Sequence, residues 1–218
     1  MSKSGSSTQY AKSMPNGPDS PPQRIRRALD RITESRRLTF TAARPIAPFG
    51  EKLDPENGVV VANTFYAHFV YEALCKHGRL KDALRMMRER FGPMLARGAT
   101  TLWESFEPSA SLCHGFSASP TYQLSRRVLG VLPSQPGFTA VEFAPDLADL
   151  EFASGVFPTQ QGDIAVELTR IDAGFMARLR APAAIAVHVT AARGMKLRSK
   201  PQRSAGELIA RYDFDRTA

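Results

Sequence analysis

The segment LPSQPG, residues 132–137, divides the sequence into two parts with different hydrophobic periods. Before it, apolar side chains recur at intervals of three and four residues, which is the period of an amphipathic helix. After it, apolar and polar residues alternate, which is typical of half-buried β-strands. Two prolines and a glycine within the segment favour a turn. The sequence therefore predicts an α+β protein in which helices come first and strands follow.

Two consecutive helices are predicted before this segment. The first follows Asn63, whose side chain is suited to an N-cap, and ends at Gly78, while the second ends at Gly98. Because about two residues separate them, they form an antiparallel hairpin in this interpretation. A shorter helix is expected between Pro120 and Gly130. The second helix carries its apolar residues on one face: Leu80, Ala83, Leu84, Met87 and Phe91.

The alternating part predicts about five short strands, joined by turns at QQGD, DAG and APA. Strands of this length and spacing favour a small antiparallel β-sandwich. The alternation is lost after Val189, so the basic residues 191–218 are predicted to be a loosely ordered tail. The residues expected to face the core are Val141, Phe143, Ile164, Val166, Leu168, Phe175, Ala177, Leu179, Ile185, Val187 and Val189.

The positive charge lies at the two ends of the chain, whose formal net charge is +8. Residues 1–44 contain nine Lys and Arg against three Asp and Glu, and residues 191–218 contain seven against three. The part between them is therefore slightly acidic. Because no zinc-knuckle spacing or RNA-recognition signature accompanies the basic ends, nucleic acid is not predicted as a partner.

Neither a membrane segment nor a cofactor is predicted. The N-terminal residues lack the apolar core of a secretory signal, and no apolar run is long enough to cross a bilayer, so a cytoplasmic protein without a membrane partner is expected. Two cysteines cannot make a disulfide framework; two buried thiols are expected, and a single bridge between Cys75 and Cys113 stays open. With no dinucleotide or phosphate-binding motif and no ligand cluster, we expect no cofactor and no metal.

A loop between the predicted helices, TTLWESFEPSASLCH at Thr100–His114, concentrates polar and aromatic side chains. Such groups, held between rigid elements, suit sugar chemistry. Glu104 is the candidate catalytic carboxyl, because sugar hydrolysis uses a pair of carboxyl groups. Trp103 and Phe106 beside it predict a partly desolvated carboxyl and a platform for a sugar ring. The alternative is a solvated glutamate beside two core aromatic residues.

Two further residues of the loop are candidates with alternatives of their own. Glu107 is either a second carboxyl or an exposed turn residue before Pro108. His114 either hydrogen-bonds sugar hydroxyls and transfers a proton, or is a buried histidine with satisfied nitrogens. As a metal site the pair Cys113–His114 is poor, because adjacent side chains point apart.

Four runs of this sequence, within about residues 48–190, resemble bacterial α-L-rhamnosidases. The most specific feature is Thr-x-Trp-Glu at residues 101–104 followed ten residues later by His114. The family combines a six-hairpin α/α barrel with a C-terminal β-sandwich. The runs are GVVVANTFYAHFVYEAL, GRLKDALRMMRERFGPMLARGATTLWESF, SLCHGFSASPTYQLSRRVLGVLPSQPGF and DLEFASGVFPTQQGDIAVELTR.

The resemblance implies roles for three residues. Glu104 matches the general base that activates water when a terminal α-L-rhamnoside is hydrolysed with inversion, His114 matches a residue lining the rhamnose pocket, and Trp103 matches an aromatic residue near it. The partner acid of the family comes from an acidic motif far upstream, for which we find no counterpart here. The chain is therefore expected to be inactive alone, and whether it serves as an enzyme stays open.

The resemblance also implies a domain arrangement and partners. We expect a disordered N-terminus with one short basic helix (1–47), hairpins from the end of the barrel (48–131), the sandwich (132–190) and the basic tail (191–218). The chain is interpreted as a C-terminal fragment of a larger enzyme, with Phe65, Phe69, Met87 and Phe91 left partly uncovered. Its partners would be a rhamnose-containing glycoside and a separate chain completing the barrel. The alternatives are an inactive remnant, a non-catalytic carbohydrate-binding subunit and another six-hairpin hydrolase.

Overall fold

The computed structural model describes residues 21–34 and 63–214, apart from residues 109, 193 and 205. The chain consists of two compact units, Met1–Val61 and Ala62–Ala218. In the first unit the described element is helix α1 (Pro21–Glu34), in which Leu29 is buried among exposed neighbours. This confirms the predicted short basic helix. The predicted disorder of the N-terminus and the irregular connection that follows α1 lie outside the described residues.

The second unit begins with the predicted helical hairpin. Helix α2 (Ala67–Lys76) and helix α3 (Leu80–Ala96) are each followed by a glycine with positive φ, 74° at Gly78 and 81° at Gly98. The Asn63 carboxamide oxygen accepts a hydrogen bond of 2.9 Å from the Tyr66 N–H, as an N-cap would, although one irregular turn precedes α2. All five apolar residues predicted to lie on one face of α3 are buried. The hairpin is confirmed.

A third, shorter helical segment leads directly into the sheets. Helix α4 (Ser119–Gln123) continues as one π-helical turn, Leu124–Val128, and ends before Gly130. Gly130 has a φ of 71°, and a Cβ atom placed there would lie 2.3 Å from the backbone nitrogen of Pro145. Glycine is therefore required where the helical part meets the first strand.

Nine strands follow in the described part of the chain. Three of them form a small sheet in the order β1-β2-β6, and six form a larger sheet in the order β3-β4-β5-β9-β7, with β8 also paired to β9. Their bounds are β1 Val131–Pro133, β2 Ala140–Phe143, β3 Phe152–Phe157, β4 Ile164–Ile171, β5 Gly174–Arg180, β6 Ala186–Val189, β7 Met195–Leu197, β8 Gln202–Ser204 and β9 Glu207–Phe214.

Alternation along the strands determines which face of the larger sheet is buried. The inward residues of β4 and β5 are at most 1 % exposed, whereas the residues between them face solvent or are half-buried. Most pairings are antiparallel, as predicted, but β2 and β6 are parallel, so the prediction of a purely antiparallel sandwich is wrong at that pair. The described chain thus combines few helices with mostly antiparallel sheets.

The prediction of a loosely ordered tail after residue 190 is wrong. Strands β7, β8 and β9 lie in this region, and β9 pairs with β5 along seven residues inside the larger sheet. Leu208, Ala210 and Tyr212 of β9 are at most 3 % exposed. Their alternation is the signal of a half-buried strand, but the many basic residues around it obscured the pattern.

The predicted exposure of the hairpin also needs correction. Phe65 and Phe69 are 40 % and 56 % exposed, as predicted, but Met87 and Phe91 are buried at 6 % and 5 %. They are covered because α3 packs inside the second unit. The hairpin and the sheets both lie in the second unit, and the division into two domains near residue 131 stays a prediction. The described helices of this unit form one hairpin and a short third helix, so the partial six-hairpin barrel stays a prediction.

Candidate active site

The loop Thr100–His114 is folded back on itself by two backbone hydrogen bonds. The Glu104 N–H donates to the Ser111 carbonyl at 2.8 Å, and the His114 N–H donates to the Leu102 carbonyl at 2.9 Å. The Thr64 hydroxyl, which is fully buried at the start of the hairpin, donates to the Glu104 carbonyl. These bonds bring Glu104 and His114 together although they are ten positions apart in the sequence.

The side chains of Glu104 and His114 meet at the surface. The distance between Glu104 Oε2 and His114 Nδ1 is 3.8 Å, and the two side chains are 40 % and 33 % exposed. The same carboxylate oxygen accepts a hydrogen bond of 3.2 Å from the Ser111 N–H. One oxygen is thus oriented by the loop itself, and the carboxylate as a whole stays open to a ligand. A carboxylate held in this way can accept a proton from a water molecule.

Trp103 and Phe106 lie in the core, as in the alternative interpretation, and not as an open platform beside Glu104. They are 6 % and 7 % exposed, and the Phe106 ring packs edge-to-face on Phe91 with 5.2 Å between ring centres. The Phe106 ring anchors the loop to α3 and the Trp103 ring is buried, while the Glu104 side chain is 40 % exposed. The contact between Trp103 and a sugar stays a prediction, and the exposed rings beside this loop come from other residues.

The remaining polar residues of the loop fit the simpler interpretations. Glu107 forms an ion pair with Arg97 at 2.9 Å, so it is a surface turn residue.

Both cysteines are free. Burial raises the pKa of Cys75 to about 11. Cys113 is exposed, so the expectation of two buried thiols is wrong for Cys113. Among the described residues, no cluster of three or more His, Cys, Asp and Glu is placed to hold a metal ion.

A row of exposed rings extends from His114 across the start of the hairpin. The centres of the His114 and Phe116 rings are 4.1 Å apart, and those of the Phe116 and Phe65 rings are 5.5 Å apart. The Phe65 ring also contacts the rings of Tyr66 and Phe69. We call five residues, each 38–58 % exposed, the aromatic face: Phe65, Tyr66, Phe69, Phe116 and Tyr122. The spacing of Phe65 and Phe69 was visible in the sequence. Phe116 was missed because it lies in a loop without a period.

The aromatic face borders an open depression of about 380 Å³ beside His68 and Ser119. His68 is the link between its two halves, since its ring lies 5.3 Å from Phe69 and 5.6 Å from Tyr122. The depression begins at Phe116, which contacts His114, so the aromatic surface is continuous with the candidate carboxylate.

The Glu72 carboxylate joins α2 both to α4 and to the π-helical turn that follows it. Glu72 accepts hydrogen bonds from the Gln123 amide at 2.8 Å and from Arg127 at 2.5 Å. Partial burial alone would raise the pKa of Glu72, but the bonds from Gln123 and Arg127 outweigh it and lower the pKa below its usual value. This network fixes α4, and with it Tyr122, against α2.

Comparison with known families gives a match to the sandwich. Residues 130–205 match the family described as the bacterial alpha-L-rhamnosidase C-terminal domain. A curated alpha-L-rhamnosidase from Alteromonas sp. (strain LOR) is 36 % identical over an alignment of 98 residues, which covers 39 % of this chain and 10 % of that protein. The family match extends to residue 205, so it includes strands β7 and β8 after residue 190.

Comparison with solved structures also gives α-L-rhamnosidases. The crystal structure of a GH78 family rhamnosidase from Bacillus sp. GL1 is 37 % identical, with a TM-score of 0.58, over 64 % of this chain and 16 % of that enzyme. The Streptomyces avermitilis alpha-L-rhamnosidase, solved with L-rhamnose, shares the fold with a TM-score of 0.53 at 16 % identity, over 68 % of this chain and 16 % of that enzyme. The chain therefore spans about a sixth of these enzymes and a tenth of the curated relative. The resemblance predicted from the sequence is confirmed: this chain is similar to the C-terminal part of bacterial α-L-rhamnosidases.

Proposed function

We propose that this chain contributes the general base, Glu104, to an inverting α-L-rhamnosidase site. The observation that carries the proposal is the pairing of an exposed, oriented carboxylate with His114 at 3.8 Å beside the aromatic face. In this mechanism Glu104 takes a proton from water while the water oxygen attacks the anomeric carbon. The bond from that carbon to the leaving oxygen breaks, and a second carboxyl, about 6.5–9.5 Å from the first, protonates the leaving oxygen.

His114 and Trp103 have supporting roles in the proposal. The imidazole of His114 would hydrogen-bond a rhamnose hydroxyl and so place the anomeric carbon near Glu104. Trp103 would contact the sugar at the base of the loop. The Streptomyces relative, whose structure was solved with L-rhamnose, supports rhamnose as the class of sugar.

The second carboxyl belongs, in this proposal, to a separate polypeptide that completes a six-hairpin barrel. The aromatic face supports it, because five neighbouring exposed rings form an apolar surface of the kind that marks an interaction site. Helices of the second polypeptide would cover Phe65 and Phe69 and would carry the acid to the side of the sugar opposite Glu104.

The test is hydrolysis of an aryl α-L-rhamnoside by the full chain, alone and mixed with a candidate polypeptide carrying the upstream barrel helices. We expect negligible turnover alone, turnover by the mixture, and a loss of about 10²–10⁴-fold in kcat for the mixture with Glu104→Gln, the range for removal of a general base. Glu107→Gln is the matched control and should keep kcat. Turnover by the chain alone that Glu104→Gln abolishes would contradict the divided site.

A non-catalytic carbohydrate-binding role is the second candidate, and the continuity of the aromatic face with His114 favours it. Rings exposed beside hydrogen-bonding side chains suit the apolar faces of sugars. Calorimetry of the chain with L-rhamnose at millimolar concentration would show heat that Phe116→Ala removes. An absence of heat would exclude this role for the chain alone.

A further inference from the structure

Strand β3 (Phe152–Phe157) is an edge of the larger sheet with the sequence FASGVF. It contains no charged residue and no proline, and Phe152 and Val156 are 58 % and 61 % exposed. Its inward residues Ala153 and Phe157 are half-buried, whereas their counterparts on β4 are at most 1 % exposed. The described part of the chain therefore leaves this edge open.

The ladder with β4 shows which backbone groups of β3 point to the open edge. The Arg170 N–H donates to the Glu151 carbonyl at 3.0 Å, and Phe152 lies opposite Thr169. Hydrogen-bonded and non-bonded positions alternate along an antiparallel pair. The odd-numbered residues of β3 thus bond β4, and Phe152, Ser154 and Val156 direct their N–H and C=O groups away from the sheet.

The other sheet edges in the described residues are short. Strands β1, β7 and β8 have three residues each, β6 has four, and β1 ends in a proline. Short edge strands, charges and proline are the usual protection against edge-to-edge pairing. β3 has six residues and none of these protections, so among the described edges it is the one best suited to pair with a strand of another chain.

We propose that β3 pairs with β3 of a second copy of this chain, antiparallel and centred on Ser154. The strand is self-complementary about this residue. Phe152 would lie opposite Val156 of the second copy on each side, an aromatic and β-branched cross-strand pair, and the two small Ser154 side chains would meet at the two-fold axis. No charges oppose each other along the ladder, and Pro158 limits it to the length of β3. The two larger sheets would become one continuous sheet.

Sedimentation of the full chain at concentrations from about 5 to 500 μM tests the proposal. Because a six-residue edge buries less than a standard interface, the dissociation constant should be on the order of 100 μM. The average mass should rise from 23.9 kDa toward twice that value with concentration. Ser154→Pro should stay monomeric and folded, because proline removes an N–H that points away from β4. Val156→Lys should weaken association at least about tenfold, because it replaces the cross-strand pair with Phe152 and places a charge on the edge strand.

Two controls complete the experiment. Ala153→Pro removes an N–H that bonds β4, so it should lower thermal stability where Ser154→Pro does not. Phe69→Ser alters the aromatic face and should leave the dimer unchanged. A wild-type chain that stays monomeric over the whole range overturns the proposal. So does association that Ser154→Pro and Val156→Lys leave intact, or association that Phe69→Ser abolishes.

Discussion

Among single residues, Gly130 has the strictest conformational requirement at the junction between the helices and the sheets. Its φ of 71° lies in the left-handed region, and the carbonyl of Gly130 accepts a hydrogen bond of 2.8 Å from the Ala144 N–H. The space beside its Cα is filled by the backbone of Ala144 and Pro145. Both the backbone conformation and the packing therefore exclude a side chain.

Gly130→Ala should lower the free energy of unfolding by at least about 3 kcal/mol, since a left-handed alanine and a backbone clash both contribute. The matched control is Gly98→Ala. Gly98 has a similar φ of 81° but no atom within 4 Å of an added Cβ, so about 1–2 kcal/mol is expected there. Urea denaturation of both variants measures the difference. Equal losses would show that the contact with Pro145 relaxes at no cost.

The candidate site could be predicted from the sequence in part. Glu104 and His114 were identified by residue type and spacing, and the structure brings them together. The burial of Trp103 was one of two interpretations left open, because the sequence does not show which way a loop residue points. The fold of the loop depends on long-range contacts, such as the Thr64 hydroxyl on the Glu104 carbonyl. Contacts between residues forty positions apart leave no local pattern.

At the scale of elements, the network of Glu72, Gln123 and Arg127 links α2 to α4 and to the π-helical turn after it. Gln123 is fully buried, and the nearest distance between Arg127 and Glu72 is 2.5 Å. A buried amide and a half-buried ion pair stabilise this contact only while Glu72 is ionised, because the protonated carboxyl interacts less strongly with the guanidinium.

Glu72→Gln should reduce stability in a pH-dependent way. The folded pKa of Glu72 is lowered, so its contribution is present above the unfolded value of 4.5 and is lost as the pH falls through the folded pKa. The difference between wild type and variant in the free energy of unfolding should be at most about 1 kcal/mol at pH 7, because solvent screens the pair. It should shrink below about pH 4.5. Chemical denaturation from pH 7 to pH 3 measures it.

Asp146→Asn is a control of opposite sign. Burial raises the pKa of Asp146, against the lowering effects of the Ala148 N–H and Arg170. The protonated form of Asp146 is therefore favoured by folding, and its contribution is lost as the pH rises through the folded pKa. Wild type should gain stability relative to Asp146→Asn on acidification. If the stability of wild type relative to each variant changed in the same direction on acidification, the opposite pKa shifts of Glu72 and Asp146 would be refuted.

The elements themselves were predicted where local period and turn residues agree. The hairpin of α2 and α3 has periodic apolar residues and a glycine after each helix, and both signals were correct. The tail was mispredicted because the alternation within β9 is short and lies in a segment with a net positive charge. The strand is stabilised by pairing with β5, about thirty residues earlier. The parallel pair of β2 and β6 likewise depends on a connection that no local signal reports.

At the scale of the whole second unit, the hairpin has two apolar surfaces with different surroundings. The face of α3 that includes Met87 and Phe91 is buried, whereas the aromatic face on and beside α2 is exposed. A core surface and a docking surface have similar compositions, so the sequence alone could not separate them. The proposed function requires that the exposed surface contributes little to the stability of this chain alone, because a second polypeptide would cover it.

Substitutions on the two surfaces should therefore have unequal effects. Phe91→Ala should cost about 3–5 kcal/mol of unfolding free energy, since it opens a cavity beneath the Phe106 ring. Phe69→Ser should cost less than about 1 kcal/mol, because Phe69 is 56 % exposed, and should lower the binding of a hydrophobic dye. Urea denaturation and dye fluorescence measure both variants. A loss for Phe69→Ser as large as that for Phe91→Ala would mean that the chain itself covers the aromatic face in solution, and the proposed docking of a second polypeptide there would be wrong.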